Sequence, residues 1–188
     1  IWFSKMENYA GTRFNTIYLN NEFSYPEKLQ DLIHWCKLFT QKGLAPGCAV
    51  GFAGNLSFRT KVGFVITGAG VDLSDTKESD FVEVVDISNL VVSVNGVKEP
   101  SSESMLHNEI YKTRSDIKAI FHGHSKQILD FYAEKYPITK LEKPYGSIDL
   151  VKQVITILDQ NDFVLMRNHG FLSFGKNMQE AGDQVINL

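Results

Sequence analysis

The chain has 188 residues and a formal net charge of −3 at pH 7; 43% of its residues are hydrophobic and 22% are charged. This length suits one well-packed domain, and the interspersed charges lack the basic stripe that a nucleic-acid-binding surface requires. No apolar run approaches the ~20 residues of a membrane span, and the first residues lack the layout of a secretory signal. We therefore predict a single cytoplasmic domain over residues 1–188, with neither a nucleic-acid nor a membrane partner.

The chain ends and the cysteines carry two further expectations. The sequence does not begin with methionine, and it stops inside or just after a predicted helix, so we expect residues to be missing at the N-terminus and a C-terminal tail to be absent. Cys36 and Cys48 are too few for a disulfide framework, and neither lies in a CxxC pair. This usage is typical of a reducing compartment.

The first strongly patterned segment is a predicted helix over residues 24–43. Ser24 and Glu27 have the spacing of a capping box, Pro26 falls in the first turn, and Gly43 ends the segment. Apolar residues at helical spacing predict the buried face, namely Leu29, Leu32, Ile33, Cys36 and Phe39.

Four short runs rich in β-branched and aromatic residues follow, and each predicts a strand. They cover residues 49–59, 62–67, 80–87 and 90–99. The last run contains Asn95-Gly96, a strong hairpin signal, so a hairpin turn is expected there.

The second half of the chain alternates predicted helices and strands. The helices cover residues 101–114, 125–136, 146–160 and 177–188, and the strands cover residues 117–124 and the two arms of 163–175. The 146–160 helix has a predicted buried stripe of Ile148, Val151, Val154, Ile155 and Leu158. Hairpins mixed with helices favour an α/β fold, a three-layer α/β/α arrangement with a largely antiparallel central sheet flanked by helices.

Three of the five histidines form the most informative pattern in the chain. His122 and His124 are one residue apart on a predicted strand and so project to the same face. His169 occupies an Asn-His-Gly turn after another predicted strand, where functional groups commonly lie. The spacing alone leaves open whether these imidazoles form a metal site or are structural.

For the other two histidines, the sequence favours structural roles. His34 lies in the middle of the first helix, and we expect it at the surface or half-buried. His107 follows Glu103 by four residues and so shares its helix face; this position leaves a ligand role open but favours a packing role or a supporting role behind a metal ligand.

Residues 100–125, PSSESMLHNEIYKTRSDIKAIFHGHS, resemble the class II aldolase/adducin family, which carries a PSSE segment, a helix with LH and a tyrosine, and an HxHS strand. The likeness continues in KPYGSIDLVKQV and VLMRNHGFLSFGKNMQEA, where the family has PYG and NHG turns followed by G and EA. Upstream, AGNLSFR and FVITGAGVDL resemble its GNxS strand and ITPSG-type loop. The likeness runs in order from about residue 43 to residue 181.

The resemblance implies a divalent metal, usually zinc, bound by His122, His124 and His169. Three neutral imidazoles leave one coordination position open, as a catalytic zinc site requires. The resemblance also implies that Glu103 approaches the metal and acts as acid and base. A simpler interpretation of Glu103 is an acid in the first helical turn, where the helix dipole favours negative charge.

A phosphate group is the second ligand that the resemblance implies. Asn55, Gly70, Ser101 and Ser102 correspond to positions that hold substrate phosphate in sugar-phosphate members of the family. Ser102 at a helix start offers hydroxyl and N–H groups to an anion, and glycine lets backbone amides approach it. A simpler interpretation is that Ser102 is only an N-cap and that the loop is only a turn.

Two departures from the family pattern bear on the identity of the substrate more than on metal binding. Ala69 stands where many members have a hydroxyl residue, so one phosphate contact is absent. The aldolases also use one tyrosine after the HxH strand and one in a C-terminal tail; Tyr136 does not align securely with the former, and the sequence lacks the latter.

The function that the resemblance implies is a zinc-dependent aldolase, a carbon–carbon lyase that acts on a keto-sugar phosphate such as fuculose 1-phosphate through a zinc-stabilised enediolate. A ribulose-phosphate 4-epimerase is an alternative, although such members have Asp in place of Glu103. A methylthioribulose-phosphate dehydratase shares the histidines and the glutamate. A non-catalytic adducin-like binding module is the alternative of another class, although such modules have lost the metal ligands. Family members usually form cyclic homotetramers with active sites at subunit borders.

Overall fold

The computed structural model describes residues 11–48 and 51–188, except the side chains of residues 48, 51 and 52. Within these residues, ten strands occur in chain order: β1 (Asn15–Asn20), β2 (Gly47–Cys48), β3 (Gly51–Phe52), β4 (Asn55–Arg59), β5 (Phe64–Thr67), β6 (Phe81–Ser88), β7 (Val91–Asn95), β8 (Ala119–Gly123), β9 (Phe163–Met166) and β10 (Gly170–Gly175). The same residues form five α-helices, namely α1 (Pro26–Gln41), α2 (Ser104–Thr113), α3 (Lys126–Tyr132), α4 (Ile148–Leu158) and α5 (Met178–Ile186).

Eight of the strands form one sheet in the order β1-β7-β6-β5-β4-β8-β10-β9, and β2 pairs with β3 in a separate ribbon. Only the β1–β7 pair in this sheet is parallel, and every other neighbouring pair is antiparallel. The predicted antiparallel sheet is therefore confirmed. Part of the predicted 49–59 strand falls on residues 49 and 50, which lie outside the described residues.

The sheet separates two hydrophobic cores, because alternate strand residues point to opposite faces. One core holds α2 and α4, with Ile110 and Val154 fully buried against strand residues such as Ile120. The other core holds α1, α3 and α5 around Phe39 and Phe121, whose rings meet edge to face with centroids 5.4 Å apart. The predicted three-layer α/β/α architecture is thus confirmed.

Helix α1 begins and ends near the predicted positions but lacks the predicted capping box. The N-cap residue is Tyr25 and makes no side-chain capping bond, while Pro26 opens the helix at a position where a missing N–H costs nothing. Gly43 follows the helix with φ +70°, as its predicted terminating role requires. Trp35 joins the buried face and Ile33 is only half-buried, so the buried stripe is slightly rotated.

The hairpin turn between β6 and β7 lies at Asn89-Leu90, and the prediction of a turn at Asn95-Gly96 is wrong. Asn89 and Leu90 have φ values of +50° and +60°, which match a two-residue turn with both central residues left-handed. Gly96 instead follows the last residue of β7, with φ +126°, and its N–H donates to the carbonyl of Asn20. Pairing along the sheet, with Ser88 opposite Val91, decides which turn reverses the chain.

In α4 the structure corrects the predicted stripe at its two isoleucines. Ile148 is 50% exposed at the start of the helix, and Ile155 is only partly buried against the core. Leu150 takes the place of Ile148 in the buried face. Among the described helices, none combines the length and the apolar character that crossing a bilayer needs.

Candidate metal centre and active site

The three predicted metal ligands meet at one end of the central strands. β8 is flanked by β4 and β10, and His122 pairs in register with Asn55 on one side and Leu172 on the other. His124 follows directly after the strand, and His169 closes the turn between β9 and β10, where its N–H donates to the carbonyl of Met166. The ends of neighbouring strands thus bring together residues that are almost fifty positions apart in sequence.

The imidazoles of His122, His124 and His169 form a compact triangle. Their ring centroids are 4.7, 5.0 and 4.9 Å apart, and one ligand nitrogen from each ring lies within 4.8 Å of the others. The Nε2 atoms of His122 and His124 are 2.9 Å apart. His122 is 1% exposed, whereas the other two residues are half-buried. This geometry suits three nitrogen ligands around one ion that stays open to substrate.

The carboxylate of Glu103, at the start of α2, lies beside the three histidines. Glu103 is the N-cap residue of α2 and is only 4% exposed. Its Oε2 lies 3.1 Å from His122 Nε2 and accepts a hydrogen bond of 2.9 Å from the Asn55 amide, and its Oε1 lies 3.5 Å from His169 Nε2. Because Glu103 makes no side-chain capping bond, the dipole interpretation does not account for its orientation toward the histidines.

The donor set fits a divalent cation. His122 Nδ1–H can donate to the carbonyl of Phe171 at 2.8 Å, which leaves a lone pair on Nε2. That lone pair faces the carboxylate of Glu103 and the Nε2 of His124. Within the described part of the chain, Glu103 Oε1 has no hydrogen-bond partner. A cation would satisfy all of these acceptors at once, and three imidazoles with a carboxylate match the ligand preferences of zinc.

Burial in the cluster keeps His124 and His169 neutral. Burial lowers the pKa of His169 to about 4, although the nearby carboxylate of Glu103 acts in the other direction. Burial, together with the neighbouring imidazoles, holds the pKa of His124 well below its ordinary value. Burial alone would raise the pKa of Glu103, but attraction to His122 and His169 when their rings carry a proton, together with the hydrogen bond from the Asn55 amide, lowers that pKa. Neutral imidazoles and an ionised carboxylate are the forms that bind metal.

Glycines allow the strands to approach each other closely around His122. A Cβ on Gly170 would lie 2.3 Å from the Gly123 carbonyl oxygen and 3.0 Å from His122 Cε1. A Cβ on Gly54 would lie 2.8 Å from the carbonyl oxygen of His122. The position of the His122 ring therefore depends on the absence of side chains at these two sites.

A buried polar chain supports the site from behind. His107, which is fully buried, contacts Ser57 Oγ through Nδ1 at 2.7 Å, and Ser57 Oγ lies 2.8 Å from the hydroxyl of Tyr111. Burial lowers the pKa of His107 to about 3, so this ring is neutral. The burial of His107 agrees with the packing role predicted for it, and its supporting role behind a metal ligand stays a prediction. Ser57 was not predicted, although it shares a strand face with Asn55.

The residues predicted to hold phosphate divide into two groups. Asn55 lies against Glu103, to which its amide donates. Gly70 belongs to an exposed turn with φ +69°, and a bridge between Gly68 and Pro100 places that turn beside Ser101, whose N–H donates to the Thr67 carbonyl at 3.2 Å. The structure therefore brings the turn next to the serines, and their contact with phosphate remains a prediction.

Ser101 and Ser102 precede α2 rather than cap it. The N-cap position belongs to Glu103, and the Ser101 hydroxyl accepts a bond from the Glu103 N–H at 3.4 Å, so the N-cap interpretation of Ser102 is wrong. Gly146 of the PYG turn packs against Ser102, because a Cβ there would lie 2.7 Å from the Ser102 carbonyl oxygen. Two motifs that are far apart in sequence are thus neighbours in space.

Comparison with known proteins agrees with this geometry. Residues 30–131 and 126–188 match the family described as Class II Aldolase and Adducin N-terminal domain. The chain belongs to the class II aldolase/adducin family. The resemblance found in the sequence motifs is thereby confirmed over most of the chain, and β1 lies before the matched region.

Relatives within the class II aldolase/adducin family have different named activities. The L-fuculose phosphate aldolase of Haemophilus influenzae is 29% identical over 82% of this chain and 76% of that protein. A probable L-ribulose-5-phosphate 4-epimerase of Mycoplasma pneumoniae is 43% identical over 66% of this chain and 63% of that protein. A solved L-fuculose 1-phosphate aldolase has a TM-score of 0.74 at 30% identity, covering 87% of this chain and 82% of that chain.

Proposed function

We propose that this protein is a zinc-dependent aldolase that cleaves or forms a carbon–carbon bond in a keto-sugar phosphate such as fuculose 1-phosphate. The observation that carries the proposal is the convergence of His122, His124 and His169 within 4.8 Å of one another, with Glu103 directed into the same cluster. The aldolases among the relatives support this choice of reaction. We also propose a cytoplasmic location and a homotetramer, as the family resemblance implies.

In this reaction, the residues of the site would have the following roles. His122, His124 and His169 would hold the ion, with Glu103 as a ligand that substrate can displace. A divalent ion bound there supplies Lewis acidity, which stabilises negative charge on substrate oxygens. Glu103 would take and return a proton at Oε1, since Asn55 already bonds to Oε2. Gly70, Ser101 and Ser102 would bind the substrate phosphate through N–H and hydroxyl groups.

Two variants test the ligand and the acid/base role separately. His124→Ala should lose bound zinc with little loss of folding, because His124 lies beyond the end of β8 and its ring packs against the other two ligand rings. Glu103→Gln should keep zinc yet lose at least about 10²-fold in turnover, since an amide cannot exchange the proton. Elemental analysis of the purified proteins and release of dihydroxyacetone phosphate from keto-sugar phosphates measure the two effects. Full zinc occupancy in His124→Ala would contradict the ligand assignment.

A 4-epimerase acting on ribulose 5-phosphate is the second candidate, because the probable epimerase of Mycoplasma pneumoniae has the higher identity, 43%. Glu103 weighs against it, since the family resemblance implies Asp in epimerases. Incubation of the zinc-loaded protein with ribulose 5-phosphate would separate the two: epimerisation without carbon–carbon cleavage of any keto-sugar phosphate would replace the aldolase proposal.

Dehydration of a sugar phosphate and binding without catalysis are distinguished from cleavage by the same assays. Loss of water from methylthioribulose phosphate, without cleavage, would favour the dehydratase. Absence of metal, even after incubation with zinc, would favour an adducin-like binding module. The solution mass at micromolar concentration tests the homotetramer, and a monomer would contradict it.

A further inference from the structure

The segment of residues 137–142 forms an extra edge beside β9, which is the last strand of the sheet. The N–H of Leu165 donates to the Pro137 carbonyl at 2.7 Å, and the N–H of Thr139 donates to the Leu165 carbonyl at 2.9 Å. Ile138 forms an isolated parallel bridge with Leu165. The segment therefore follows β9 toward the turn that carries His169.

At the turn, Thr139 holds the residue that follows β9. Its hydroxyl accepts a hydrogen bond from the Arg167 N–H at 2.8 Å, and its carbonyl accepts one from Arg167 Nε at 3.1 Å. Thr139 is 1% exposed, so its hydroxyl and carbonyl are shielded from water even though Arg167 is exposed. The N-terminal half of the turn is thereby attached to the 137–142 segment.

Glu142 holds the next residue of the turn. Asn168 has φ +56°, a left-handed conformation that costs a non-glycine residue free energy unless its surroundings hold it. The Asn168 side-chain amide donates to Glu142 Oε2 at 2.8 Å. The far end of the segment is fixed as well, since the Leu141 N–H donates to the side-chain oxygen of Gln153 on α4 at 2.8 Å.

These contacts converge on the residue that follows Asn168. His169 has no place in a strand of its own, and its backbone bond to Met166 only closes the turn. We propose that the 137–142 segment is a clamp that positions His169 in the metal site, and that Glu142 is the positioning residue that acts through its hydrogen bond to Asn168. The proposal rests on the metal site assigned under the proposed function.

Hydrogen exchange of the metal-free protein tests the clamp without any metal. In Glu142→Ala, the amides of Arg167 and His169 should exchange about tenfold faster, because the turn loses the acceptor that holds Asn168. Glu142→Gln keeps an acceptor oxygen and should exchange like the wild type. Glu134→Ala removes another exposed carboxylate from the same connection and is the matched control. Unchanged exchange in Glu142→Ala would overturn the clamp.

Metal affinity and spectroscopy test the consequence for His169. Zinc should bind about fivefold to tenfold more weakly to Glu142→Ala, with normal affinity in Glu142→Gln, measured by competition with a chromophoric chelator. The visible spectrum of the cobalt-loaded protein should shift only in Glu142→Ala. If Glu142→Gln binds zinc as weakly as Glu142→Ala, the charge rather than the hydrogen bond is responsible, and the positioning role is wrong.

A double-mutant cycle decides whether Glu142 acts through Asn168. In an Asn168→Gly background, Glu142→Ala should have no further effect on zinc affinity, whereas an undiminished effect would contradict the proposal. Failure of the wild type to bind zinc would overturn the proposed function, and the exchange experiment would then decide the clamp alone. The two proposals therefore fail by different measurements.

Discussion

The carboxylate of Glu103 owes its properties to three neighbours from three different elements. Asn55 donates to one oxygen, while His122 and His169 face the two oxygens from β8 and from the β9–β10 turn. The Asn55 hydrogen bond favours the anion against the cost of burial, and so does attraction to His122 and His169 when those rings carry a proton. An acid that stays ionised in a buried site can bind a cation and can also accept a proton from substrate once it is displaced.

His107 shows the opposite behaviour, because burial keeps it neutral. Its pKa of about 3 lies below the ordinary value of 6.5, so the unfolded chain binds more protons than the folded protein between these limits. The free energy of unfolding therefore has its full value, as far as His107 is concerned, above about pH 6.5, and it decreases as the pH falls toward 3.

We therefore expect the free energy of unfolding of the metal-free protein to fall on acidification, with His107 contributing on the order of 3 kcal/mol between pH 7 and pH 4. Denaturant titrations at a series of pH values measure it. His107→Gln should show a shallower dependence on pH than the wild type, and His34→Gln, which alters a histidine outside the buried core, should not. Equal slopes for wild type and His107→Gln would contradict this assignment.

At the scale of elements, the metal site depends on how closely β8 and β10 approach. Gly170 begins β10 directly after His169, and its missing side chain leaves room for the Gly123 carbonyl and the His122 ring. The hydrogen bond from His122 Nδ1 to Phe171 comes from the same strand pair. The pairing of these strands thus sets both the position and the tautomer of His122.

Gly170→Ala should destabilise the protein by about 2 kcal/mol, because the new Cβ meets backbone that cannot move independently. Zinc affinity should fall too, since the His122 ring must shift. Thermal unfolding and chelator competition measure these effects. Gly43→Ala is the control: its Cβ meets no atom within 4 Å, so only its φ of +70° opposes the change, at a cost of about 1 kcal/mol and with normal zinc binding. Wild-type stability in Gly170→Ala would show that the strands separate readily.

At the scale of the whole molecule, β1 is a strand of the sheet that lies before the residues matched to the family. It forms the single parallel pair of the sheet and lies at its edge, with Ile17, Tyr18 and Leu19 about half exposed. Burial of these side chains therefore contributes little to holding β1 against β7. Glu99, two residues before Ser101, also holds this part of the chain by accepting hydrogen bonds from the hydroxyls of Thr12, Thr16 and Tyr18.

Glu99→Ala should loosen β1 without unfolding the domain, because three hydroxyl donors lose one shared acceptor. Amide exchange across residues 15–18 should rise about fivefold to tenfold, while exchange in β8 stays at the wild-type rate. Hydrogen exchange with mass spectrometry measures both regions. Glu109→Ala, which removes an exposed carboxylate from α2, should leave β1 unchanged. Faster exchange throughout the sheet would show instead that β1 is integral to global stability.

The elements that could be predicted from sequence are those with strong local signals. Apolar spacing placed α1, and the breaks at Gly43 and in the Asn-His-Gly turn placed its end and the β9–β10 turn correctly. The Asn95-Gly96 turn was wrong because two left-handed residues, Asn89 and Leu90, form the hairpin where the β6–β7 register requires it. Ile148 was also misplaced, since a residue in the first turn of a helix can lie beyond the edge of the core.

The sequence by itself determined the donor types, since three histidines, PSSE and the NHG turn carry the family resemblance whatever their positions in space. Only the tertiary structure decided that His122 and His169 converge on Glu103, and that Thr139 and Glu142 hold the turn between β9 and β10. The physical reason is that ligand chemistry belongs to single side chains, whereas convergence depends on strand pairing and packing between residues far apart in the chain. Local periodicity contains no information about those long-range contacts.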